Sequence, residues 1–132
     1  MARELFCRNG LKWAAKIPAR KVRAAEQEIR RQRATLAGAR PATAAGRTLA
    51  LELDLAARMA EQSCRLMLWQ QAAAAGKTAE AKALAQAGIR ELRQLEKDFH
   101  AAWRQRNKAT PRHCTPFLQR RIRDYQGKPP RP

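Results

Sequence analysis

A chain of 132 residues carries 28 Lys and Arg against 11 Asp and Glu, a formal charge of +17, with hydrophobic residues at 45% and aromatics at only 5%. That length suits one domain with one core, and because much of the apolar share is alanine, which favours helix but buries little area, the core is expected to be thin. No apolar run approaches the roughly 20 residues that span a bilayer. Cys7, Cys64 and Cys114 are an odd number at wide spacing with no C-x-x-C pair, which argues against a disulfide framework and for a reducing, cytoplasmic setting. The basic N-terminus lacks the continuous apolar segment of a secretion signal.

Charge is unevenly distributed. Residues 1–50 sum to +9, residues 51–100 to zero and residues 101–132 to +8. Basic ends of this kind could meet a polyanion such as nucleic acid, or an acidic protein surface, and they equally suit an arginine-rich solvated surface.

Taken in order, residues 1–17 place Leu5, Phe6, Leu11 and Trp13 between basic residues and an Asn9-Gly10 turn signal, and read as a short helix or an arm. From Pro18 to about Ala37 the spacing predicts a helix with a narrow stripe of Val22, Ala25, Ile29 and Leu36 among many arginines. Gly38, Pro41 and Gly46 predict a loop over residues 38–46. Thr48 is the expected N-cap of the next helix, whose leucines, methionines and Trp69 lie on several faces and make it the central one.

Gly76 is expected to stop that helix and Thr78 to cap a long one over residues 78–107, the two forming an antiparallel hairpin. This last helix has the clearest periodicity in the chain: Ala85, Ile89, Leu92, Leu95, Phe99 and then Ala102 or Trp103 share a face, while Lys82, Arg90, Arg93, Lys97 and Arg104 share another. Thr115-Pro116 opens a short final helix with Phe117, Leu118, Ile122 and Tyr125 on its apolar side, ended by Gly127, and the tail of residues 127–132 is expected to be extended or disordered. The fold class is therefore all-α, a helical bundle spanning residues 18–126.

Chemistry is not specified. His113 and Cys114 are adjacent, yet sequence neighbours rarely face each other and no third group would orient them. His100 follows the stripe of its helix. The three cysteines and two histidines show no chelating spacing for zinc. The Gly76-Lys77-Thr78 triplet lacks the upstream glycine and preceding strand of a phosphate-binding loop. No catalytic, cofactor-binding or metal-binding residue is assigned, and no cofactor is implied. Trp69, Phe99 and Trp103 sit on apolar stripes and are expected in the core, not on a base-stacking surface.

The run Leu95, Phe99, Trp103, Arg106 and Asn107 with a following proline, then a short helix ending in Tyr125, resembles the C-terminal helical region of bacterial family 20 glycoside hydrolases, the β-N-acetylhexosaminidases. The resemblance covers roughly residues 20–125 and includes the Ala39-Arg40-Pro41 loop and the leucine- and alanine-rich helix from Leu49. It implies an accessory helical part whose partner is a catalytic barrel domain or chain. That family's adjacent Asp-Glu pair is missing, since Asp54, Asp98 and Asp124 precede Leu55, Phe99 and Tyr125. No catalytic residue carries over. Two functional expectations follow: a non-catalytic module of hexosaminidase type, from a truncated or split gene product, or a nucleic-acid binder acting through its basic ends. Neither specifies an oligomeric state.

Overall fold

The computed structural model describes residues 16–106 and 115–127. Within them lie four helices and no strand: α1 (Ala19–Gly38), α2 (Ala44–Ala74), α3 (Thr78–Arg106) and α4 (Pro116–Tyr125). Helix α2 packs against α1 on one side and α3 on the other, and α4 lies on α3. The expected all-α bundle, its antiparallel hairpin and its central second helix are all present. Residues 1–15 of the N-terminal arm, His113, Cys114 and the tail beyond Gly127 lie outside the described residues.

Two apolar clusters hold the bundle together. The larger joins Leu55 of α2, Leu92, Leu95 and Ala102 of α3, and Leu118, Ile122 and Tyr125 of α4, with Leu66, Trp69 and Ile89 packed against it. The smaller joins Val22 of α1 to Cys64 and Leu68 of α2, flanked by Ile17, Ile29 and Leu84. Val22 is the single fully buried residue of α1. That is what a stripe seven residues apart provides, a seam against one partner and little else. Burial pushes the Cys64 thiol up from its ordinary value, so it sits in the seam as a small apolar group.

Two helix starts differ from the sequence reading. Helix α2 begins at Ala44, capped by Thr43, whose Oγ1 accepts from the Gly46 N–H at 3.0 Å. Thr48 lies inside the helix, with its hydroxyl turned to the Ala44 carbonyl and to Gln105. Gly46 therefore belongs to the first turn and not to a loop. A Cβ there would meet the Pro41 Cβ at 2.9 Å and Thr43 Oγ1 at 3.1 Å, so the glycine makes room for the cap. At the other start, Thr78 opens α3 as its first residue, and its hydroxyl donates to the Gly76 carbonyl at 3.4 Å. Gly76, at φ +70°, does end α2 in the left-handed region as expected.

At Gly88 of α3 a Cβ would fall 2.5 Å from Cζ of Tyr125. The ring lies across the glycine and edge-on to Trp69, with centroids 5.2 Å apart. Its hydroxyl is buried without a hydrogen-bond partner, and burial pushes its pKa well above the usual phenol value. Gly88→Ala gains about 1 kcal/mol of helix propensity and loses more to the displaced ring, a net destabilisation of about 1–2 kcal/mol. Gly38→Ala meets nothing within 4 Å and is expected to be neutral or mildly stabilising. Tyr125→Phe removes an unsatisfied polar group at constant shape and is expected not to destabilise. Urea denaturation of the three variants checks this.

Candidate interaction surfaces

The ionic side chains of the bundle are arranged around two residues of α2, one turn apart. Arg58, 8% exposed, donates from Nε to Glu91 at 2.9 Å and from Nη1 to Asp98 at 2.6 Å, with Asp54 at 3.8 Å. Glu61, also 8% exposed, accepts from Arg30 at 2.8 Å, Arg33 at 3.0 Å and Arg65 at 3.4 Å. One cation gathers three carboxylates and one carboxylate gathers three guanidinium groups. The first node ties α2 to α3 and the second ties α2 to α1. Arg33 also reaches Asp54 at 2.9 Å, which links the two. None of this was visible in the sequence, because a residue's partner across an interface depends on the register of two helices.

Further acidic residues among those described are turned to partners as well. Glu80 pairs with Arg23 and Lys77, Glu28 with Arg31, Asp124 with Arg121, and Glu26 with Arg30 and Arg65, while Glu96 accepts from Gln119 of α4. On α3 the outcome is a helix with three distinct sides. Taking 100° per residue, Glu80, Glu91 and Asp98 fall within about 20° of one another and face α1 and α2. The apolar positions from Ala81 to Trp103 form a second sector. Lys82, Arg90, Arg93, Lys97 and Arg104, all exposed, occupy a third sector about 80° wide. The sequence grouped these five correctly. It also counted the middle of the chain as neutral, and that neutrality conceals an inward acidic side and an outward basic one.

A second surface lies at the end of the hairpin away from Gly76. There Glu52, Leu55, Ala56 and Met59 of α2 and Phe99, Ala102 and Trp103 of α3 line a groove of about 230 Å³. Phe99 and Trp103 are stacked with centroids 5.7 Å apart, and Phe117 of α4 meets Phe99 edge-on at 6.4 Å. On the same stretch of α2, Leu49 and Leu53 are 51% and 49% exposed, and Phe117 is 40% exposed. Phe99 and Trp103 were expected in the core, as was Phe117 on the apolar side of its helix. They are only partly covered, because α4 is ten residues long and reaches just part of the apolar face of α3.

His100 Nε2 lies 3.2 Å from the Thr115 hydroxyl, a contact joining α3 to the start of α4. Among the described residues no cluster of His, Cys, Asp or Glu could hold a metal ion, and no helix is long and apolar enough to cross a membrane. No protein-family model matches the sequence, and no curated protein or solved structure resembles it at a significant level.

The ionic nodes set a pH dependence. Burial raises the Asp98 pKa, but hydrogen bonds from Arg58 and Gln94 outweigh it and hold the carboxyl below its ordinary value. Glu28 is held at about 2 by hydrogen bonds from Arg31 and Gln32. A carboxyl depressed in the fold contributes stability above its unfolded pKa and loses it as pH falls through the folded one. Asp124, raised by burial, contributes in the opposite sense. Stability is thus expected to fall as pH drops through the carboxylate range, Glu28 losing its contribution towards about 2 and Asp98 losing its own below its ordinary value. Arg58→Met is expected to flatten that slope and to cost about 1–2 kcal/mol at neutral pH, since Glu91 and Asp98 are about a third exposed and recover water. Urea titrations across the pH range read both effects.

Proposed function

We propose that the chain is a non-catalytic helical module that docks onto a catalytic barrel of the β-N-acetylhexosaminidase type, as a truncated or split product of such an enzyme. The open groove between α2 and α3 carries this reading. An apolar groove, on a stretch of α2 whose Leu49 and Leu53 are each about half exposed, is a surface that a partner would cover. The anchors of the family resemblance support it by where they sit. Leu95 and Tyr125 are core residues, and Phe99 and Trp103 line the groove, so those anchors set the shape of a docking face and supply no acid, base or nucleophile. With no adjacent Asp-Glu pair in the sequence, the module would leave the chemistry to its partner and act on the barrel's stability.

The chain mixed with a family 20 catalytic barrel lacking its own helical tail is expected to co-elute with it on gel filtration and to raise its melting temperature. Leu53→Ser should weaken that association by roughly tenfold or more, the value of one buried leucine side chain. The chain alone should release nothing from a chromogenic N-acetylglucosaminide. Failure to associate, or turnover by the isolated chain, would remove the reading.

A further inference from the structure

We propose that the outward side of α3 binds the phosphodiester backbone of double-stranded DNA without regard to base sequence. Lys82, Arg90, Arg93, Lys97 and Arg104 extend over 22 residues, a row about 33 Å long at 1.5 Å per residue. Their field is not cancelled by their own helix. Glu80, Glu91 and Asp98 are turned away and engaged by Arg23 and Arg58, and the one further carboxylate of α3, Glu96, whose hydrogen-bond partner Gln119 is neutral, offsets only one of the five charges. Exposed Ala79 and Gln86 lie between the cations, so nothing bulky holds an approaching backbone away.

The same residues separate DNA duplex from other polyanions. A single strand is held by stacking its bases on aromatic rings, and the aromatic residues of α3, Phe99 and Trp103, lie in the neighbouring sector that lines the groove beside α2, not among the cations. A bilayer surface requires large apolar side chains beside the basic ones, whereas Leu92 and Leu95 of α3 are buried in the core and Phe99 and Trp103 turn into the groove beside α2. Duplex DNA presents a phosphate for about every 1.7 Å of axis. Its major groove, about 12 Å wide, matches the 10–12 Å diameter of a helix, whereas the major groove of an RNA duplex is deep and narrow.

The groove of the proposed module and this basic row occupy different sides of α3, so either can fail alone. Binding of the full chain to a fluorescent 25-base-pair duplex of arbitrary sequence, followed by anisotropy across a salt series, tests the proposal. The triple variant Arg90→Gln, Arg93→Gln, Lys97→Gln is expected to remain as helical as the parent by circular dichroism. Its slope of log affinity against log salt should be shallower by roughly 2–3, at about 0.9 per phosphate contact. Arg20→Gln with Lys21→Gln, on exposed positions of α1, should change that slope little, and Leu53→Ser should not change it. Absence of duplex binding at low salt, or a slope unmoved by the triple variant, would overturn the proposal. So would an equal loss per charge from the α1 pair, which would mean that net charge alone binds. Tighter binding to oligo-dT, to duplex RNA or to phosphatidylserine vesicles would overturn it as well.

Discussion

The packing of α1 and of α3 is referred to α2, and the two ionic nodes on that helix are the constraint from which the rest follows. A seam of alanine, leucine and valine attracts without fixing how far one helix has slid along another. Arg58 can satisfy Glu91 and Asp98 together, and Glu61 can satisfy Arg30 and Arg33 together, at one axial position only. Slipping either interface by a turn would leave charges that are about nine-tenths buried without partners, a cost of several kcal/mol. The apolar clusters thus supply attraction, and the nodes supply position.

The nodes also decide what the surface looks like. Carboxylates used inside the bundle are carboxylates absent from its exterior. On α3 this leaves a continuous basic side, next to an apolar side that α2 and α4 only partly cover. The protein meets its surroundings through two unlike faces, one suited to dry contact and one to polyanions, and the same helix presents both.

Much of this was legible in the sequence, and the parts that were not share a cause. Periodicity alone placed Leu92, Leu95 and Phe99 on one face of α3 and Arg90, Arg93 and Lys97 on another, because residues on a single helix are related by fixed geometry. The cap at Thr43 was missed because Gly46 looked like a breaker. Only the packing of Pro41 against it reveals a glycine required within a first turn. Arg58 and Glu61 read as ordinary polar residues of a long helix, since nothing local to them encodes the register of α1 or α3. The partial exposure of Phe99 and Phe117 could not be read from an apolar pattern, which says that a face is to be covered and not by how much. The adjacent His113 and Cys114, set aside as chemistry in the sequence, lie outside the described residues, and the one described cysteine is a packing residue.

The ring of Tyr125 over Gly88 bears on how the fold assembles. The contacts of α1 with α2 and of α2 with α3 join neighbours in sequence and close through short turns, so they are reached early by a collapsing chain. Tyr125 comes from the last helix in chain order and settles on the bare backbone of Gly88. The glycine is a socket left open in a finished hairpin. The last helix serves as its plug, so loss of α4 would expose Leu92 and Leu95, two of the most deeply buried residues in the molecule, while both ionic nodes stayed intact.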